Sequence, residues 1–300
     1  MTAWRTLKAS VRGAAHIRVG LPNQDAVRVV RFHDDVPLIM ALADGHGSAK
    51  SFRSRRGARL AVVVAQKVCG YLFQLGNPSQ IKHWAEQQLP LALVRLWQAQ
   101  VAKSLQRLPF TPAELEPLDA AARRQVEALP ALAYGTTLLT VVIAANFILY
   151  LQLGDGDILT VSASGEVERP LPKDERLIAN QTTSLCSAKA WNEAQVYFQT
   201  LAGAPPALIL AATDGYANAY RDDASFQQVA RDYWTLLRDE GVEAVKPYLK
   251  DWLNEASQQG SGDDISVGII WRPVASPSLT HCPAPGDREP ESAPPSAVAR

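Results

Sequence analysis

Cysteine is scarce in this chain, and what there is cannot pair into a framework. Cys69, Cys186 and Cys282 are odd in number, far apart and without metal-ligand spacing, which excludes a disulfide scaffold and a thiolate zinc site. A surplus of either charge is also missing. Thirty basic and thirty acidic side chains cancel, so no global field draws the chain to nucleic acid or an acidic membrane. No apolar run approaches the roughly 18–20 residues needed to cross a bilayer, and Met1–Gly13 lacks the apolar centre of a signal peptide. With 47% hydrophobic and 20% charged residues in 300, the composition is that of an ordinary globular protein, expected in the cytoplasm.

What stands out is a pattern of strand endings. Val36 to Ala43 is a near-continuous apolar run that stops at Asp44-Gly45-His46-Gly47. Phe147 to Leu153 ends in Gly154-Asp155-Gly156, and Ala207 to Thr213 ends in Asp214-Gly215. Short apolar runs closed by a turn signal read as buried strands. Taken singly, Asp-Gly is a good hairpin turn without chemistry. That reading is strongest for Asp155-Gly156, where Asp157 to Val161 looks like the returning strand. Three such endings together, one carrying a histidine, imply acids gathered at one edge of a sheet.

In chain order, Trp4 to Val11 reads as a first strand and Gly13 to Pro22 as a loop. Asn23-Gln24-Asp25-Ala26 leads into a strand over Val27 to Phe32. A hairpin through His33-Asp34-Asp35 would set Asp25 beside Asp44. Lys50, Arg53, Arg55, Arg56 and Arg59 then crowd the start of a helix over Gly57 to Leu75, where a basic first turn opposes the helix dipole. These charges form either a solvated face or a lining for an anionic ligand at the turn upstream. Asn77-Pro78 starts a helix running to about Leu108 with a kink at Pro90, and Thr111-Pro112-Ala113-Glu114 is a capping box for a short third helix.

Leu138 to Ala145, Phe147 to Leu153 and Ile158 to Ala163 read as three successive antiparallel strands, followed by an irregular stretch from Gly165 to Lys189. Ala194 to Leu201 and Ala207 to Thr213 are further strands. Ser225 to Leu237 and Val242 to Gln258 are amphipathic helices, and Gly262-Asp263-Asp264 opens a strand over Ile265 to Trp271. One catalytic unit is therefore expected over 1–272. The segment 273–300, with seven prolines and no aromatics, is expected to be a disordered tail.

The candidates for chemistry are Asp25, Asp44, Asp155, Asp214 and Asp263, with His46 beside one of them. Clustered carboxylates repel unless a cation joins them. An oxygen-rich site without cysteine suits hard ions such as Mg2+ or Mn2+. Two such ions activate water and clamp the oxygens of an in-line phosphoryl displacement, and a histidine at the rim protonates the leaving alkoxide. The residues alone thus point to metal-assisted hydrolysis of a phosphate ester.

The ordered set Asn23-Gln24-Asp25-Ala26, Asp44-Gly45-His46-Gly47, Gly135-Thr136-Thr137, Gly154-Asp155-Gly156-Asp157, Thr213-Asp214-Gly215 and Gly262-Asp263-Asp264-Ile265-Ser266-Val267 resembles the metal-dependent protein phosphatases of type 2C, in particular their bacterial members. The resemblance spans about residues 5 to 272. It implies an α+β fold, a four-layer αββα sandwich of two antiparallel β-sheets flanked by helix pairs. It implies a phosphoserine/phosphothreonine phosphatase in which a hydroxide held by two Mn2+ or Mg2+ ions attacks phosphorus. By the same resemblance Asp44 bridges the two ions and the Gly45 carbonyl ligates one, Asp214 and Asp263 complete a shell, Asp25 acts through coordinated water, and His46 is the general acid. Bacterial members hold a third ion, whose ligand positions match Asp155 and Asp214. The expected partners are phosphoserine or phosphothreonine proteins and a cognate Ser/Thr kinase.

One position departs from the pattern. The family often has a phosphate-binding arginine five residues before the first aspartate, where this chain has Gly20. Arg18, His16 and Arg53 are candidates to replace it, as is the rest of the basic cluster from Lys50 to Arg59. The missing arginine also leaves open a weakened family member that serves as a regulatory or scaffold module. A metal-dependent nuclease is disfavoured by the neutral charge and the lack of a basic groove interleaved with aromatics.

Overall fold

The structure is a computed structural model that describes residues 3–32, 36–173 and 183–273. Its elements in chain order are β1 (Arg5–Val11), α1 (Ala14–Val19), β2 (Ala26–Arg31), β3 (Leu38–Ala43), α2 (Ser54–Tyr71), α3 (Pro78–Gln87), α4 (Leu89–Arg107), α5 (Pro112–Leu115) and α6 (Ala120–Ala128). They continue with β4 (Leu138–Ile143), β5 (Phe147–Leu153), β6 (Asp157–Val161), β7 (Val167–Glu168), β8 (Gln195–Thr200), β9 (Leu208–Ala212), α7 (Asp214–Ala217), α8 (Asp223–Asp239), α9 (Leu249–Ala256) and β10 (Ile265–Trp271). The strands form two antiparallel five-stranded sheets, ordered β1-β10-β9-β6-β7 and β2-β3-β4-β5-β8.

Alternation along the strands builds three cores. From β3, Leu38, Met40 and Leu42 point between the sheets, where they meet Ile209, Ala211 and Ile270 of the opposite sheet. Ile39, Ala41 and Ala43 point outward into the layer formed by α2 to α6. On the far side, Leu208, Leu210, Val267 and Ile269 pack against Phe226, Tyr233 and Trp234 of α8 and Leu253 of α9. Strands buried on both faces are largely apolar along their length, which is why β3 and β9 are continuous apolar runs and β4, β5 and β10 are interrupted only by Thr140, Gln152 and Ser266 with Gly268. The α+β four-layer sandwich expected from the resemblance is the observed fold. Among the described residues no helix is long and apolar enough to cross a membrane.

Beyond shifted ends and the short elements β7 and α7, which the sequence reading lacks, the structure differs from it in four places. Residues 14–19, read as loop, form α1. This helix buries none of its residues and ends at Gly20, in the left-handed region at φ 75°, so it shows no apolar periodicity. The helix expected from Ser79 to Leu108 is two helices: Gln88, at φ −119° and ψ −31°, caps the end of α3 and the start of α4, and Pro90 belongs to the first turn of α4. The second C-terminal helix begins only at Leu249, after a short 3-10 turn over Val242–Ala244.

The fourth difference is topological. β4 and β5 pair as expected, but β5 and β6 do not form a hairpin. β5 pairs with β8, while β6 pairs with β9 in the other sheet. Asp155-Gly156 is thus the crossing from one sheet to the other. The β2–β3 hairpin is present, with Ala26 opposite Ala43, and it sets Asp25 next to Asp44. The turn His33-Asp34-Asp35, residues 174–182 of the irregular stretch and the tail from 274 onward lie outside the described residues.

Candidate active site

The acids belong to strand ends of both sheets. Asp25 precedes β2, Asp44 follows β3 and Asp155 follows β5, while Asp214 follows β9 and Asp263 lies just ahead of β10. Antiparallel order brings these ends to the same edge of the sandwich. There Asp44, His46, Asp155, Asp214 and Asp263 line one open hollow of about 740 Å³, joined by Lys50.

Each acid is fixed by neighbours that local pattern explains only in part. The Gly135-Thr136-Thr137 stretch braces Asp44: its amide donates to Thr137 Oγ1 at 3.0 Å, and its carbonyl accepts from Thr136 Oγ1 at 2.6 Å and the Thr137 amide at 2.9 Å. Gly45 forms a single antiparallel bridge to Thr136. A Cβ on Gly45 would stand 2.6 Å from the Gln24 carbonyl oxygen, and one on Gly135 would stand 2.6 Å from His46 Cδ2. Close approach therefore demands glycine at both positions.

Thr213 ties the two sheets together at the site. Its hydroxyl donates to Asp25 Oδ2 at 2.9 Å and accepts from the Ser266 amide at 2.9 Å. The other oxygen of Asp25, Oδ1, is buried without a hydrogen-bond partner. Asp264, adjacent to Asp263, is 2% exposed. It accepts the Gly13 and Gln24 amides at 2.6 Å each and stands 2.9 Å from His16 Nδ1. In the sequence Thr213 and Asp264 stand in the motifs around Asp214 and Asp263 with no role of their own, while Lys50 belongs to the basic cluster. Asp264 reads locally as a duplicate of Asp263, and its partners lie 240 and 251 residues away.

The electrostatics are those of carboxylates lacking a countercharge. Burial, and then the charges of Asp25 and Asp214, hold Asp44 well above the ordinary carboxylate range. Burial and the Asp264 charge do the same to Asp25. Asp214 and Asp263 are raised less, again chiefly by burial. Burial lowers the His46 imidazole, against the opposing pull of Asp155. A buried, unpaired carboxylate oxygen beside crowded acids is a donor set that a hard divalent cation fits. Of the residues expected to hold it, Asp44, Asp155, Asp214 and Asp263 line the hollow, whereas Asp25 and Gly45 are not among its lining residues.

Of the phosphate-contact candidates, His16, Arg18 and Arg53 do not line the hollow, whereas Lys50 of the basic cluster does. Arg53 is consumed elsewhere. Its Nε and Nη2 each donate to the Glu114 carboxylate at 2.7 Å, Nη1 donates to the Leu108 carbonyl at 2.6 Å, and its plane covers the Phe110 ring at 4.7 Å. His16 faces Asp264. Arg18 sits in the last turn of α1 and is exposed. On the opposite wall, Ser184 and Cys186 border the hollow, where the Leu185 amide donates to the Thr136 carbonyl at 3.0 Å. Nothing in the turn-rich composition of this stretch marks it as a wall.

The family description "Protein phosphatase 2C" matches residues 12–254, a span that includes Asp25 to Asp214 and stops short of Asp263. No curated protein matches the chain. Among solved structures, the chain is similar to a bacterial serine phosphatase at TM-score 0.57 and 13% identity, covering 89% of this chain and 97% of that one. It is similar to the catalytic domain of the serine threonine protein phosphatase PstP in complex with two manganese ions, at TM-score 0.54 and 18% identity over 91% and 100% of the two chains. It is also similar to the serine/threonine phosphatase Stp1 of Staphylococcus aureus, at TM-score 0.55 and 14% identity over 90% and 95%. These structures share the fold, and with most of its length matched by the family description, the chain belongs to the protein phosphatase 2C family.

Proposed function

We propose that the chain is a cytoplasmic, metal-dependent phosphatase of phosphoserine and phosphothreonine proteins, opposing a Ser/Thr kinase. The observation that carries this reading is the convergence of Asp44, Asp155, Asp214 and Asp263 with His46 in one hollow, backed by the unpaired buried oxygen of Asp25. Oxygen donors favour Mn2+ or Mg2+. The charges of Asp25 and Asp214 both act on the Asp44 carboxylate, and Asp155 lines the same hollow as Asp44 and Asp214, so these acids would share in holding the cations. When bound, such cations supply Lewis acidity that acidifies water and offsets phosphoryl charge.

The remaining steps belong to the chain. His46 acts from its imidazolium form, which burial disfavours and the Asp155 charge favours; that form passes a ring-nitrogen proton to the departing serine or threonine oxygen and is left as neutral imidazole. Lys50 lends the hollow a cation suited to the substrate phosphate, the role that Gly20 cannot fill. Cys69 and Cys186 are free thiols, in keeping with a reducing compartment.

The test is turnover. Purified protein with Mn2+ is expected to hydrolyse both an aryl phosphate and a phosphothreonine peptide, and to stop when the metal is chelated. Lys50→Gln should raise KM about tenfold with kcat little changed, whereas Arg18→Gln should leave KM alone. Failure on both substrates would instead favour the scaffold reading, for which the displaced Arg18, His16 and Arg53 are the supporting observation.

A further inference from the structure

A second hollow, of about 760 Å³, opens beside the acid-lined one, between α2 and residues 108–114. Its floor is apolar, with Pro22, Leu60 and Val63, and its rim carries Arg55, Arg56 and Arg59. All three arginines are exposed. None of their guanidinium groups makes an ion pair or hydrogen bond among the described residues, unlike Arg123 with Glu127 or Arg238 with Asp239. The acid in this groove, Glu114, is already neutralised by Arg53, so three positive charges remain unbalanced.

Their placement costs the fold something. The first turn of α2 contains no acidic residue, and cations there oppose the helix dipole. Arg55 and Arg59 are like charges four residues apart, which further weakens a helix. The two hollows also share a wall. Lys50 and Ser51 line the acid-lined one, and the next two residues, Phe52 and Arg53, line the groove. The arginines therefore do not face the acids; they face a separate trough one turn of chain away.

We propose that this groove docks an acidic segment of the protein substrate, with Arg55, Arg56 and Arg59 pairing its carboxylates while the phosphorylated residue enters the neighbouring hollow. The proposal rests on the phosphatase reading for the second half of that statement, and on charge complementarity for the first. Guanidinium groups around an apolar floor suit a peptide with aspartates or glutamates spaced by apolar residues.

Two measurements test it on the full chain. In the first, a phosphothreonine peptide with an acidic flank is compared with the same peptide carrying Asn and Gln in place of the acids. KM should be about tenfold lower for the acidic peptide. The triple variant Arg55→Gln/Arg56→Gln/Arg59→Gln should lose that preference and keep its rate on an aryl phosphate. In the second, fluorescence anisotropy follows an unphosphorylated acidic peptide, which should bind the parent protein about tenfold more tightly than the variant and release as salt rises. Binding without turnover would sink the phosphatase reading and leave the docking groove standing. Equal KM for both peptides, undiminished binding to the triple variant, or equally tight binding of a single-stranded DNA oligonucleotide would overturn the proposal.

Discussion

The Nδ1 atom of His16 stands 2.9 Å from Oδ2 of Asp264, which joins the short exposed helix α1 to the start of β10. The same carboxylate accepts the amides of Gly13 and Gln24. One buried acid thereby holds the residue before Asp25, while its own amide donates to Asp263 Oδ1 at 2.7 Å. Asp264 is a positioning residue for two of the site's carboxylates. Asp264→Ala leaves those amides buried without acceptors, and should cost roughly 3 kcal/mol or more in urea unfolding. Asp264→Asn keeps the shape and should recover part of that loss. Equal stability of Asp264→Ala and the parent chain would remove this role.

Thr136 Oγ1 donates to the Asp44 carbonyl at 2.6 Å. Thr136 is fully buried, so Thr136→Val deletes the bond while nearly preserving volume. The expected penalty is about 1 kcal/mol in stability. Cation affinity should fall more noticeably, by about tenfold, because groups that orient a ligand typically matter that much. Calorimetric titration with Mn2+ reads it; unchanged affinity would make Thr136 a fold residue only.

Arg53 and Glu114 form a pair whose pH signature is readable. The arginine, first, and then Thr111 hold the Glu114 carboxyl down to about 2, from an ordinary 4.5. A depressed carboxylate contributes stability that is complete above pH 4.5 and is lost as pH falls from there toward about 2. Glu114→Gln should therefore be less stable than the parent at neutral pH, with the gap closing in that acid window. A gap that does not narrow on acidification would mean the pair adds no pH-dependent stability.

The legible parts of this chain share a physical cause. β3 and β9 are covered on both faces, so each announces itself as an apolar run, and their Asp-Gly endings mark the site from the sequence alone. Where no such one-to-one relation between pattern and burial exists, the sequence misleads. α1 buries nothing, so no periodicity betrays it. Asp155-Gly156 has the composition of a hairpin turn, yet whether the chain returns to its own sheet or crosses to the other is decided by β9, the partner that β6 finds. Arg53 belongs to a basic run that sequence cannot divide; its neighbour Glu114 lies 61 residues away, and only packing shows that this arginine is spent while the side chains of Arg55, Arg56 and Arg59 have no partner among the described residues.

The acid cluster itself predicts how cation loading and pH depend on each other. Asp25 and Asp44 lie well above, and Asp214 and Asp263 above, the ordinary carboxylate value of 3.8, mainly through burial. For such groups the folded state binds more protons than the unfolded chain at any pH between 3.8 and the raised values, so stability of the metal-free protein falls as pH rises through that range. Cations take the place of those protons, and their affinity rises with pH because they compete with protons for the same oxygens. The Tm difference between Mn2+-loaded and chelated protein should therefore widen from acid toward neutral pH. Asp214→Asn keeps the shape and removes one charge, so its metal-free form should lose less stability over the same interval and gain less from Mn2+, with fewer ions bound. Calorimetry across a pH series, with metal stoichiometry measured alongside, decides the matter. A gap that stays constant with pH, or is identical in Asp214→Asn, would show that these carboxylates do not hold the ion.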